Sequence, residues 1–353
     1  MQIKNQTYFA VEALPSIDTD NKAILTIIVK GTFSFESPEV IRCLKEQDEI
    51  QFADVLYDNN EFSTTMFEND IAPFKPCADI IVVGKAYAPQ KIPVSSFTAT
   101  LQVGKLRKEL SIFGHRYWIN KNKYSIPEKI LEMPIRYENA YGGFDINNKS
   151  EYFSENLSGK GFISNKHKSG IENIPLPNIE DSNCLISSYK DKPEKPAGMG
   201  VYSKLWRSRL KHAGTFNDDW RKNKSPNMPE DFDPLYYNAA HPDMQINGYL
   251  SGNETIILEN LTTYPNSRYE FNLPEVSIKT TIIKKFEYEY SESLKKTPDE
   301  SKEIIMNIDT LCIIPDEKKI LITWRGKEQL SDINALEVNK IIIESENSPE
   351  MES

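Results

Sequence analysis

The stretch FTATLQV (97–103) alternates without a fault, with Phe97, Ala99, Leu101 and Val103 on one side and Thr98, Thr100 and Gln102 on the other. Successive side chains of a strand point to opposite faces, so this period of two describes a strand with one apolar face. GKLRKE (104–109) follows as a charged hairpin tip and LSIFGHRYW (110–118) as the returning strand. The same grammar recurs in LTIIVKGTFSF (25–35). There Ile27, Val29, Phe33 and Phe35 share a face with Gly31 between them, opposite Thr26, Lys30, Thr32 and Ser34. VSIKTTIIKKFEYEY (276–290) alternates again, and IDTLCII (308–314), PDEKK (315–319) and ILITWRG (320–326) read as a second hairpin. The expected fold is mainly β: a large antiparallel, sandwich-like scaffold with long irregular loops and one or two short helices.

Helical signals are few. YSKLWRSRLKHAG (202–214) spaces Leu205, Trp206, Arg209 and Leu210 for helix faces and ends on Gly214 as a stop; LSDINALEVN (330–339) is a second, shorter candidate. The strand at 25–35 resembles that at 276–290, and the two hairpins both have charged tips and end near Trp and Arg. This recurrence suggests two related β-lobes, 1–135 and 275–345, joined by a motif-rich segment 136–274 within one domain spanning 1–345. Residues 346–353 are acidic and polar and read as a frayed tail.

Composition narrows the function. A formal net charge of −10 argues against a nucleic-acid binder, because phosphate contacts require a surplus of Lys and Arg. Cys43, Cys77, Cys184 and Cys312 are widely separated, with no CxxC and no ligand-like pairing with the histidines, so reduced structural thiols are expected and no metal. The N-terminus has no basic region leading into an apolar one, and no run approaches the length of a spanning helix; the expectation is a cytoplasmic protein with no membrane partner.

Between 120 and 275 the chain is broken by Pro and Gly, and its aromatic residues are scattered. So long an irregular stretch is either functional or packed by its own side chains. Its densest part, 196–243, holds Asp218, Asp219, Glu230, Asp231 and Asp233, with His212 and His241. Paired carboxylates can serve as general acid and base, which makes a carboxylate-dependent hydrolase built on Asp231 and Asp233, assisted by His241 or Glu230, the alternative reading. EDFDP (230–234) is also how turns and helix caps are written, and that reading is preferred. His115, alternating with Phe113 and Tyr117, reads as a core-edge residue. GMG (198–200) lacks the glycine pattern of a dinucleotide site, and no cofactor is expected. Lys204, Arg207, Arg209, Lys211, Arg221, Lys222 and Lys224 form a local surplus of positive charge, either a solvated face or a patch that steers an acidic partner.

The blocks YENAYGGFD (137–145), NLSGKGF (156–162), LPNIED (176–181), PAGMGVYSKLWRSRLKHAGTFNDDW (196–220), MPEDFDPLYYNAAHPDMQINGYLSGNE (228–254) and DTLCIIPDEKKILITWRG (309–326) occur in order. Together they resemble the family catalogued as domain of unknown function 2169, over nearly the whole chain. Leu157, Ser182 and Met199 stand where that family usually carries Pro, Pro and Phe. Members occur in Gram-negative bacteria beside genes for type VI secretion spike proteins, PAAR tips and toxic effectors. The resemblance implies a non-enzymatic adaptor or chaperone that binds a secreted effector protein in the cytoplasm and helps load it onto the VgrG/PAAR spike. Tyr141, Trp206, Arg209, Trp220, Phe232, Tyr236 and Tyr237 are the candidate partner-contacting or loop-supporting residues, being of the types that dominate interfaces.

Overall fold

A computed structural model describes residues 1–37, 40–60, 63–167, 170–263, 267–284, 300–334 and 337–351. Its centre is a seven-stranded sheet in the order Gln245–Asn247, Cys77–Val82, Asn307–Ile314, Lys319–Gln329, Ala23–Ser37 and Ala10–Ile17, with Val40–Cys43 also paired to Ala23–Ser37. All pairs are antiparallel except Cys77–Val82 against Asn307–Ile314, which is parallel. A five-stranded antiparallel sheet, Ile179–Asp181, Leu106–Phe113, Ser96–Val103, Thr255–Glu259 and Arg268–Asn272, packs against it. The third sheet holds Gln2–Asn5, Val338–Glu346, Ser277–Lys284 and Glu300–Ile304.

The inward sides of the first two sheets form one apolar core in which Ile27, Val29, Phe33 and Phe35 meet Leu101, Leu110, Ile256 and Phe271. Phe35 stacks on Phe271 at 4.7 Å across the sandwich. Gly31 breaks the row of large residues for a packing reason: a Cβ there would lie 2.8 Å from the Phe33 ring and 3.1 Å from Phe9. The mainly β sandwich, with two short α-helices among the described residues, agrees with the sequence pattern.

Several details differ from it. The hairpin tip is only Gly104 and Lys105, because Leu106 already pairs with Val103; the charges at 107–109 sit within the ladder, where polarity alone had read as loop. The returning strand stops at Phe113. At Gly114 the Glu128 carbonyl approaches so closely that a Cβ would lie 1.9 Å from it, so the chain leaves the sheet, exposes His115 and buries Arg116 instead. The helix expected over 202–214 is one turn, α1 (Arg207–Leu210), closed by Gly214 at φ +78°, while a helix that the pattern did not announce, α2 (Asp218–Asn223), follows it. No helix lies among the described residues of 330–339: Ser331 to Asn334 form turns, with Ser331 N–H donating to the Glu337 carboxylate. The part of 276–290 beyond Lys284 lies outside the described residues.

The two-lobe arrangement is not what forms. Ala23–Ser37 pairs directly with Lys319–Gln329, and Cys77–Val82 with Asn307–Ile314, so the first and last thirds of the chain share one sheet and one core. Nor is the tail wholly frayed, since Cys43 N–H donates to Glu350 O at 3.2 Å and Met351 packs against the core.

The most consequential difference concerns the second face of the central sheet. Thr26, Lys30, Thr32 and Ser34, the polar side of the strand at 25–35, are buried, as are Asp79, Thr323 and Arg325. Covering chain satisfies them: Lys30 Nζ donates to Asp70 at 2.9 Å and Glu49 O at 3.1 Å, and Thr26 Oγ donates to Pro73 O at 3.0 Å. Period-two patterning records polarity, and here a polar face is buried by hydrogen bonding rather than by apolar contact.

Candidate docking surface

That polar face carries the segment 196–245. Asp79, fully buried, accepts from the Asn238 amide (3.0 Å), from Ala239 N–H (2.8 Å), from Ala240 N–H (3.1 Å) and from Lys75 Nζ (2.8 Å). Asn238 Nδ2 also donates to Cys77 O at 2.8 Å, and Lys75 Nζ to Thr310 Oγ1 at 2.9 Å. Upstream in the segment, Met199 O accepts from Val82 N–H at 2.8 Å, and Tyr202 N–H donates to Ala239 O at 2.7 Å. The chain is thus riveted to the sheet at both 199–202 and 238–240.

The glycines of GMG serve packing. A Cβ at Gly198 would lie 2.4 Å from the Tyr137 ring, so the missing side chain lets Tyr137 stand edge-on to Trp206 at 4.9 Å and to Tyr202 at 6.0 Å. Arg209 is a second fastening: its guanidinium is bidentate to Glu68 at 2.6 Å and 2.6 Å and also donates to Tyr236 O and Tyr202 O. Trp206 and Arg209 are therefore buried supports, as is Tyr141, which packs against Phe153 at 5.1 Å in a second, smaller core. Of the two roles expected for these three, contact or loop support, their burial fits support; surface-type residues and buried staples share the same composition. Trp220, Phe232, Tyr236 and Tyr237 are half-buried, Phe232 and Tyr237 meeting at 5.3 Å and Trp220 Nε1 donating to Asn227 O at 2.9 Å.

The carboxylates of the hydrolase reading are each engaged by nearby backbone or side-chain groups. Asp231 accepts from Thr215 N–H and Oγ1–H, which hold its pKa below the usual carboxylate range. Asp233 caps Leu235 N–H at 3.0 Å and meets His212 Nδ1 at 2.7 Å, and Glu230 pairs with Lys224. His241 is buried. Its Nδ1 accepts from Asp243 N–H and its Nε2 donates to Pro196 O, both at 3.1 Å, which fixes the neutral tautomer. Burial outweighs the nearby Asp243 and pulls its pKa down to about 4. The folded state therefore holds His241 neutral while the unfolded imidazole takes up a proton below about 6.5. The group is thus neutral for stability above that pH and penalises the folded state increasingly as pH falls toward 4, on the order of 3 kcal/mol in all. The expected observation is that His241 ring resonances keep neutral-form shifts down to about pH 5; protonation near 6.5 would show that the ring is not sealed.

What projects from this riveted base is apolar and cationic. Leu205 is 74% exposed, Phe216 54% and Leu210 48%. The charge surplus is smaller than the sequence suggested, because Lys204 pairs with Asp54, Arg209 with Glu68, Arg221 with Asp218 and Lys224 with Glu230. Arg207, Lys211 and Lys222 face solvent. Sequence reasoning missed Asp79, Glu68 and Asn238, and equally the buried pair of Arg116 with Glu180. The only trace they left was polar residues inside or beside otherwise apolar strands.

Among the described residues, no helix is long and apolar enough to cross a membrane, and no group of three or more His, Cys, Asp or Glu side chains is placed to hold a metal. No curated protein and no solved structure matches the chain. The family model described as an uncharacterized protein conserved in bacteria (DUF2169) does match, over residues 20–325, which takes in most of the central sheet and the whole riveted segment, and the chain belongs to that family.

Proposed function

We propose that this protein is a binding protein of type VI secretion, an adaptor that holds a toxic effector in the cytoplasm and presents it to the VgrG/PAAR spike, with the 203–224 projection as its docking surface. The observation that carries the docking reading is the contrast within one segment: a base fixed by buried hydrogen bonds, and a tip with three large apolar side chains in water. Rigid support lowers the ordering cost of binding, and apolar anchors flanked by cations fit a partner with an apolar groove and an acidic rim. The secretion context rests on the family resemblance of the motif blocks.

The test is co-expression with the products of neighbouring genes, followed by affinity capture and gel filtration. An effector or spike protein should co-elute, and Leu205→Asp with Phe216→Asp should reduce its retention about tenfold or more, leaving the melting temperature unchanged. Clean separation from every neighbour removes the adaptor reading. Retained binding by the double variant moves the docking surface elsewhere.

A further inference from the structure

On the smaller core, outside the 203–224 projection, a cavity of about 520 Å3 is lined by Lys121, Lys190, Lys192, His167, Ile163 and Ile171, with Ser164, Asn165 and Tyr189 completing its wall. Its charge is one-sided. A cavity of similar size at the end of the central sheet also presents cations, but each has a carboxylate: Lys75 with Asp79, Arg325 with Asp309, Lys302 with Glu328 and Lys327 with Asp18. In the first cavity Lys192 donates to the Asn165 amide oxygen at 2.6 Å and Lys121 lies 5.6 Å from the Tyr189 ring centroid. Among the described residues, none of its three lysines has a carboxylate within ion-pair distance, and no Asp or Glu lines it. Three lysines without a direct ion pair in one concave site stand out in a chain of net charge −10, even with the Asp145 carboxylate behind the wall as a more distant counter-charge to Lys192.

The wall is also prearranged. Asp145, fully buried behind it, accepts Ser164 N–H at 2.8 Å, Asn147 N–H at 2.9 Å and His167 Nδ1–H at 3.0 Å. Burial alone would raise the Asp145 pKa, but these donors hold it down to about 2, so it stays an anion that fixes the His167 ring. The Asp191 carboxylate, between two of the lysines in sequence, is drawn away by the amides of Ser187 and Ser188. The volume falls in the range of small-molecule sites, and the floor of Ile163 and Ile171 supplies an apolar rest.

We propose that this cavity binds a phosphorylated small molecule, with the phosphate among Lys121, Lys190 and Lys192 and the organic body over Ile163 and Ile171. Three flexible ammonium groups lining one concave site suit a polyanionic head, and its volume suits a compact ligand better than an extended chain. The site is independent of the docking surface, so failure of either reading leaves the other in place.

Calorimetric titration of the full chain with AMP, pyrophosphate, adenosine and a glutamate-rich peptide tests it. AMP and pyrophosphate should bind saturably at one site and adenosine should not. The triple variant Lys121→Gln, Lys190→Gln, Lys192→Gln should bind about tenfold or more weakly, with an unchanged circular dichroism spectrum and melting temperature. The triple Lys→Arg variant should retain binding. No saturable binding of either phosphate compound overturns the proposal, as does binding indifferent to the triple variant. Equal binding of adenosine, or of the peptide through the same lysines, also overturns it.

Discussion

Asp79→Ala is expected to destabilise the protein by about 3–5 kcal/mol, as much as a core truncation. The carboxylate is fully buried and takes four hydrogen bonds, from Lys75, Asn238 and the amides of Ala239 and Ala240. Removing it strands the Lys75 ammonium, itself nearly buried, and leaves two backbone N–H groups without their acceptor. Asp79→Asn keeps the shape and one acceptor oxygen but turns an NH2 group toward donors, so an intermediate loss is expected. Urea denaturation followed by tryptophan fluorescence measures both. A loss below about 1 kcal/mol for the alanine variant would mean that water or movement of Lys75 repairs the site, and that 238–240 is not riveted as described.

The second large effect is at Arg209. Arg209→Ala leaves the Glu68 carboxylate unpaired beneath the segment and frees the carbonyls of Tyr202 and Tyr236, with an expected cost of about 3 kcal/mol. Its signature differs from that of Asp79. Arg209 holds the tip rather than the sheet, so the loss should appear first as faster proteolytic cutting within 203–232, ahead of global unfolding. Arg209→Lys should not rescue it, because an ammonium cannot reproduce the two parallel bonds to Glu68 while also reaching Tyr236 O. Glu68→Ala with Arg209→Ala should cost less than the two single losses added together. Additive losses, or no change in proteolysis, would show that the pair is not what pins the tip. If the docking reading holds, the same variant weakens partner retention without touching a contact residue.

These two sites also mark where the sequence stops being informative. The strand pattern was legible because the side of each strand that meets the sandwich core is apolar and alternates with polar residues: Phe97, Ala99, Leu101 and Val103 face the core as their spacing requires, and 308–326 closes as a hairpin. The candidate chemistry was legible in a limited sense. Asp231 and Asp233 stand in turn-like sequence and take up nearby amides, interactions that reach only two to sixteen residues along the chain.

Distance along the chain is what hid the rest. Asp79 meets partners about 160 residues away, Arg209 meets Glu68 141 residues away, and Ala23–Ser37 meets Lys319–Gln329 across most of the protein. A pairing at such separation leaves no periodic mark, because no local repeat depends on it. From the sequence alone came the local alternatives: strand or helix, apolar face or polar face, turn or open carboxylate. Whether the polar face of the central sheet met water or another stretch of chain, and whether an aromatic or Arg residue stood in the support or at the tip, was decided by tertiary structure. Burial of a polar group is stable only where specific partners arrive to satisfy it, and the fold brings those partners from far along the chain.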